Sequence, residues 1–369
     1  MTRPFLDDDV AAGLDTPLIV VDLDRAQARI DRMAVAMRDC GVALRPHTKT
    51  HKSLEFARRQ MAAGAVGLTV ATIGEAEVFA DGGFDDLFIA YPVIAVGPKA
   101  DRLRRLADRC TLSVGADSVI GLEALAAALR GAAGTTGVVI EIDCGGARTG
   151  VRPEAAGALA RRATDLGLRV VGAFTHGGHG YTGAAARPAA AVDEVIGLTA
   201  AAAAIGAEGI EPVILSAGST PTAILSARDP VTEERPGTYV FGDRQQAALA
   251  GEPFEGTALM VAATVVSLGG SGHGFAIDAG AKILAKDVSP FLRGHGSVLG
   301  YPDAVIERVN DHHGIVSLPA DVAGPAIGSL VWVMPNHVCP VVNLVDEYVV
   351  ASEGQIVDRW PIDARGRNA

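Results

Sequence analysis

Lys49 stands in the run Arg45-Pro46-His47-Thr48-Lys49-Thr50-His51-Lys52, with two further cationic side chains and two histidines. Burial and nearby cations disfavour an ammonium, so a lysine placed here gives up its proton more readily than one in water. A neutral lysine amine condenses with an aldehyde cofactor to form a Schiff base. Four further segments carry the groups such a cofactor would need. Asp143-Cys-Gly-Gly-Ala-Arg-Thr-Gly150 holds Arg148 in a glycine-rich turn. An arginine keeps its proton, so one facing a pyridine-type nitrogen keeps that nitrogen unprotonated. Thr175-His-Gly-Gly-His-Gly-Tyr181 contributes His176, His179 and Tyr181. Ser216-Ala-Gly-Ser-Thr-Pro-Thr222 places Gly218, Ser219 and Thr220 ahead of a short helix. Backbone N–H groups at such a start hold phosphate. Arg235-Pro-Gly-Thr-Tyr239 offers a second phosphate contact through the Gly237 amide and the Tyr239 hydroxyl.

His337-Val338-Cys339 is of another kind. Alternate residues of an extended chain point the same way, so His337 and Cys339 can share a metal ion. Two protein donors leave positions for water and substrate, as a catalytic metal site requires. Each motif alone has an ordinary reading: a solvated lysine, a capped loop, a surface ion pair, a half-buried tyrosine. Their placement argues otherwise.

The segments fall at the ends of strands in an alternating pattern. Short apolar, often β-branched runs at 18–21, 42–45, 67–70, 87–90, 111–114, 138–142, 169–174 and 213–216 are each followed by a stretch with helical spacing. Helices between strands make the sheet parallel. Eight such units in about 230 residues predict a closed (β/α)8 barrel, with an open doubly wound sheet as the alternative. No glycine-rich nucleotide fingerprint follows the first strand, which speaks against the open sheet. In a barrel the C-terminal strand ends form one mouth, where the four loops would converge. After about Gly251 the runs at 258–268, 274–277, 314–318, 329–334 and 347–351 are β-rich and broken by Gly, Pro, Asn and Asp. The expected organisation is a barrel over 16–250 and a mostly antiparallel β domain over 251–369 with residues 1–15, divided near 250–256.

Hydrophobic residues make up 49% of the 369 and charged residues 20%, enough apolar material for a large core. A net charge of −11 argues against a nucleic-acid partner. There is no uninterrupted apolar run of 18 residues and no apolar stretch at the acidic start, so neither a membrane span nor a signal peptide is expected. Cys40, Cys110, Cys144 and Cys339 show no CxxC spacing, which fits reduced thiols of a cytoplasmic protein.

Taken in order, Thr16-Pro17, Asp22-Leu-Asp24, RPHTKTHK, TVATIGEAE, GGARTG, HGGHGY, SAGSTPT, ERPGTY and PNHVC span nearly the whole chain. This combination resembles the D-threonine aldolase and D-serine dehydratase family, pyridoxal 5′-phosphate (PLP) enzymes of fold type III with an alanine-racemase-type fold. The resemblance implies a PLP barrel followed by a β domain. It implies Lys49 as the Schiff-base lysine and Arg148 beside the pyridine ring. It places Gly218, Ser219, Thr220, Gly237 and Tyr239 at the phosphate, and Tyr181 and His179 toward substrate. It makes His337 and Cys339 the ligands of a divalent metal (Mn, Mg or Zn) near the cofactor, and the protein a homodimer. The implied substrates are small β-hydroxy-D-amino acids. Retro-aldol cleavage to glycine and an aldehyde stands ahead of elimination to an oxo acid and ammonia. His179, before His176 or His51, would take the hydroxyl proton in the first reaction; Lys49 would take the α-proton in the second. A racemase would need a second base and no metal, and a PLP carrier would be a barrel alone.

Overall fold

The computed structural model describes residues 5–251, 256–268 and 274–369. Residues 1–4 of the acidic start, and residues 252–255 of the expected boundary, lie outside the described residues.

Eight parallel strands form one sheet, in the order Ala43–Leu44, Glu233–Glu234, Ile214–Ala217, Arg169–Phe174, Gly137–Glu141, Thr111–Ala116, Asp86–Pro92 and Leu68–Val70. The two ends of this order meet. The Val66 amide donates to the Leu44 carbonyl and the Thr69 amide to that of Pro46, both at 2.9 Å, and His47 bridges Thr69 in parallel. The sheet thus closes into the expected barrel. Its strands are buried along nearly their whole length because helices cover one face and side chains fill the other. Inside, Phe88 and Phe174 pack edge to face at 5.2 Å with Val139 and Val171 around them.

The helices follow their amphipathic spacing. Pro98–Ala107 begins on a proline, which lacks the N–H a first turn cannot use, and buries Leu103, Leu106 and Ala107. Val119–Ala128 is capped by Ser118, whose hydroxyl accepts the Gly121 amide at 3.2 Å. Ala186–Ala207 is long and apolar enough, by length and composition, to cross a membrane, although charged residues interrupt its apolar run. It packs on Ala156–Asp165 and on barrel strands through Ala190, Ala191, Leu198, Ala201 and Ile205, the setting of a core helix.

One expected barrel strand belongs elsewhere. Leu18–Asp22 pairs antiparallel with Leu259–Ser267 and parallel with Glu347–Ser352, in a nine-stranded sheet. A β-branched run ahead of a helix looks the same in either sheet, so its local pattern could not tell them apart. The eighth barrel strand is Glu233–Glu234 instead. Two adjacent glutamates carry no strand signal of their own, yet they are 5% and 0% exposed. The compact units follow this pairing. One comprises 1–30, 50–53 and 238–365; the other, the barrel, comprises 31–49, 54–237 and 366–369. The change of unit at 237/238 and the N-terminal arm through residue 30 differ from the expected 16–250 division.

The nine-stranded sheet is mostly antiparallel. Its core includes Phe5, Leu6, Val20, Met260, Ala262, Met334, Val349 and Ala351. The strands Gly296–Val298, Val305–Val309 and Gln355–Pro361 have no counterpart in the sequence reading. All four cysteines are free.

Candidate active site

The barrel carries a cavity of about 330 Å³ at the C-terminal ends of its strands. Glu141, Ile142 and Asp143 line it from the end of one strand and Gly146, Arg148 and Thr149 from the loop after it. The next loop, after Arg169–Phe174, adds His176, Gly178 and Tyr181. The His176 and Tyr181 rings stand 6.2 Å apart, centre to centre, at 32°.

His176 sits at the centre of the electrostatics. Burial, then the charges of Lys49 and Arg148, push its pKa down to about 3, so the ring is neutral. Its Nδ1 lies 3.2 Å from the Gly218 carbonyl. A carbonyl only accepts, so Nδ1 carries the hydrogen and Nε2 the lone pair. Lys49 lies on the short turn Thr48–Thr50, half-buried. That turn is fixed by the Thr48 hydroxyl donating to the Thr69 carbonyl at 3.2 Å. Arg148 is exposed and stands 3.9 Å from Glu141. Glu141 is buried; burial raises its pKa, against a 2.8 Å hydrogen bond from Thr149. Its Oε2 is buried with no hydrogen-bond partner.

The remaining expected residues divide. His179 is not among the cavity's lining residues. It sits on the turn Gly178–Thr182, its Nε2 3.0 Å from Asp193 Oδ2, and its Nδ1 is buried without a hydrogen-bond partner. Gly218 departs from its expected part in a different way. Its amide donates to Glu194 Oε1 at 3.1 Å, so that N–H is committed before any phosphate arrives. Ser219 is buried, 2.9 Å from the Thr222 hydroxyl. Thr220 follows it in the same loop, and Gly237 lies buried three residues beyond Glu234.

Tyr239, His337, Cys339 and His51 belong to the other compact unit. Tyr239 is buried, and its carbonyl accepts from Arg29 at 2.7 Å. The Ser53 amide donates to His51 Nδ1 at 3.1 Å, so this buried ring is held by its own turn. His337 is itself extended, but Val338 and Cys339 are helical, so the pair does not alternate along one extended segment as the sequence reading had it. His337 caps the helix Val338–Leu344, and Cys339 lies in its first turn. Pro340 is tolerated there because a first-turn N–H has no partner within the helix. His337 Nδ1 lies 2.7 Å from Asp287, and Cys339 Sγ lies 3.3 Å from the Thr50 hydroxyl. Burial opposes a charge on His337, but Cys339, Asp243 and Asp287 prevail and raise its pKa to about 10. The anionic groups that favour a proton on His337 would also favour a divalent cation, which has to displace that proton to bind the ring. A carboxylate on the far ring nitrogen is the usual partner of a metal-binding histidine. Among the described residues there is no cluster of three or more His, Cys, Asp or Glu that could cage a metal.

The fit to PLP rests on the barrel. Two further cations, Arg148 and Arg235, join Lys49 in acting on one neutral, half-buried ring that lines a cavity at the strand ends. That suits a flat, anionic, aldehyde-bearing heterocycle.

Comparison with known proteins decides the family. Residues 21–245 match the alanine racemase N-terminal domain and residues 258–351 a putative serine dehydratase domain. The chain belongs to the alanine racemase N-terminal domain family. Within this family it is similar to D-threo-3-hydroxyaspartate dehydratase of Delftia sp., 36% identical over 95% of this chain and 98% of that one. It is 33% identical to D-threonine aldolase of Arthrobacter sp., over 97% and 94%. Two solved structures of D-threo-3-hydroxyaspartate dehydratase superpose with TM-scores of 0.88 and 0.86, at 35% and 36% identity. Each covers 96% of this chain, and 96% and 99% of its own. One is a histidine-to-alanine variant. The other is a cysteine-to-alanine variant in the metal-free form, altered two positions further along.

Glu194, Glu234 and Asp287 escaped the sequence reading. Glu194 lies in an alanine-rich helix, Glu234 belongs to no apolar run, and Asp287 lies 50 residues before His337. The adjacent acids Asp193 and Glu194 inside an otherwise apolar helix were the one usable signal.

Proposed function

We propose that this family member is a PLP- and metal-dependent lyase that cleaves β-hydroxy-D-amino acids by retro-aldol chemistry, giving glycine and an aldehyde. The observation that carries the reading is the neutral His176 beside the cavity, with Lys49, Arg148 and Arg235 all acting on it. Both similar enzymes act on compounds of this class, as their names state.

Lys49 would hold the cofactor's aldehyde carbon, and Arg148 would face its ring nitrogen. Gly218 lends its carbonyl to His176 while its amide serves Glu194. The phosphate therefore falls to Ser219, Thr220, the Gly237 amide and the Tyr239 hydroxyl. When bound, PLP supplies an electron sink for the carbanion left by bond cleavage. Tyr181 bounds the space for substrate. His179, oriented by Asp193, takes the hydroxyl proton. Because the carboxylate only accepts, it holds Nε2–H and leaves the lone pair on Nδ1. His337 and Cys339 would hold Mn, Mg or Zn, a cation able to lower the pKa of a hydroxyl. Their spacing is that of the histidine and cysteine altered in the dehydratase variants, one of them metal-free. The same spacing favours a second reading, elimination to an oxo acid and ammonia, with Lys49 taking the α-proton. We place the enzyme in the cytoplasm as a homodimer.

Product analysis tests the assignment. The enzyme is incubated with D-threonine, D-serine and 3-hydroxy-D-aspartate, with divalent cation or with EDTA. Glycine and an aldehyde, formed only with cation, are expected. Ammonia and an oxo acid would replace cleavage by elimination, and turnover in EDTA would remove the metal.

A further inference from the structure

Glu194 stands in Ala186–Ala207 and is 0% exposed. A buried carboxylate is costly unless hydrogen bonds compensate it. Its Oε1 accepts two backbone amides, from Gly177 at 2.7 Å and Gly218 at 3.1 Å. These belong to two loops, one after Arg169–Phe174 and one after Ile214–Ala217. His176 directly precedes Gly177, and its ring meets the Gly218 carbonyl. The contacts form a closed circuit: Glu194 to Gly177, along the chain to His176, across to Gly218, and back to Glu194.

Both glycines are needed where these acids crowd them. A Cβ on Gly177 would lie 2.8 Å from Glu194 Cδ. A Cβ on Gly218, whose φ is +112°, would lie 2.2 Å from Glu234 Oε2. A carboxylate serving only to anchor its helix would not need to join the two loops that set a cavity-lining ring.

We propose that Glu194 is a positioning residue, which pins the two loops so that the His176 ring faces the cavity with its hydrogen on Nδ1. The inference rests on the reading of that cavity as the cofactor site. It explains how a histidine in a glycine-rich loop keeps one tautomer and one orientation without a side-chain partner of its own in the circuit.

The test reads the ring itself. Holoenzyme labelled with ¹⁵N-histidine is examined by long-range ¹H–¹⁵N NMR, with the His176 signals assigned by their loss in His176→Gln. The wild type should show one neutral, Nδ1-protonated ring. Glu194→Gln keeps an oxygen at the same reach and should keep that signature. Glu194→Asp is one methylene shorter, cannot span both amides, and should give a mixture of tautomers. A single Nδ1-protonated ring in folded Glu194→Asp would overturn the proposal. So would loss of the signature in folded Glu194→Gln, which decides the matter alone if the aspartate variant does not fold. The cofactor reading is judged separately. A Schiff-base band at roughly 410–430 nm is expected of the wild type, and the tautomer is legible whether or not that band is present.

Discussion

Two buried arginines flank the short strand Glu233–Glu234, and they are treated in opposite ways. Arg45 forms ion pairs, at 2.8 Å with Glu233 and 2.6 Å with Asp86. Burial pulls its pKa down, but Glu233 and Asp86 prevail and leave it raised. Arg235 has no such pair among the described residues. Its guanidinium donates to the Ser216 hydroxyl and the Thr175 carbonyl and lies over the Phe174 and Phe88 rings, 5.2 and 5.8 Å from their centres. Burial lowers its pKa, against the more distant charges of Glu233, Glu234, Glu194 and Glu141. Arg45 joins three barrel strands as a latch. Arg235 partly offsets the charge of a group of buried acids beneath the loops that shape the cavity. The lesson is that this barrel keeps its well-paired charge where it closes and its imperfectly compensated charge where chemistry is expected.

The sharpest way to separate the two regions is Lys49→Ala. It should abolish turnover and the Schiff-base band while leaving the thermal midpoint nearly unchanged; retained colour would move the cofactor off Lys49. Arg235→Leu should be next. It strands several acids in one core, so a loss of about 3–5 kcal/mol is expected from urea unfolding. Arg45→Met should cost less, about 2 kcal/mol, because Asp86 can turn to water, and should leave the KM for substrate unchanged. An equal loss from both would erase the contrast. His179→Ala should lower kcat about 10²-fold if this ring is the base. A near-wild-type rate would reassign that proton to another group.

The remaining effect concerns pH. His176 has a folded pKa of about 3 against an ordinary 6.5. Above 6.5 both states are neutral and the ring contributes nothing to the pH dependence. Below 6.5 the unfolded chain takes up a proton that the folded ring refuses, so stability is lost down to about pH 3, by at most about 1.4 kcal/mol per unit. The raised pKa values of Glu141 and Glu194 act with the opposite sign. The difference between wild type and His176→Gln, from urea midpoints at pH 7, 6 and 5, isolates the histidine. If wild type loses no stability relative to His176→Gln toward low pH, the ring is not held neutral.

Much of the barrel was legible because strand and helix periods are local properties. Asp86–Pro92, Arg169–Phe174 and the long alanine-rich helix stand close to where their patterns put them. Strand partners were not legible. Leu18–Asp22 could enter either sheet on its own pattern, and Glu233–Glu234 became a strand only because its neighbours supplied hydrogen bonds and buried cations.

The site divides along the same line. Residue types and order placed Arg148, His176 and Tyr181 on loops at strand ends, and those three do line one cavity. What local pattern cannot state is which atom of a residue is already engaged. The Gly218 amide is taken by Glu194, His179 is drawn to Asp193, and His337 to Asp287, through contacts spanning 14 to 50 residues. The sequence by itself determined which chemical groups the loops carry, because that is written in residue identity and spacing. Only the tertiary structure decided which of them keep a free lone pair or amide, because burial drives polar atoms to pair and the fold alone decides which partners come within reach.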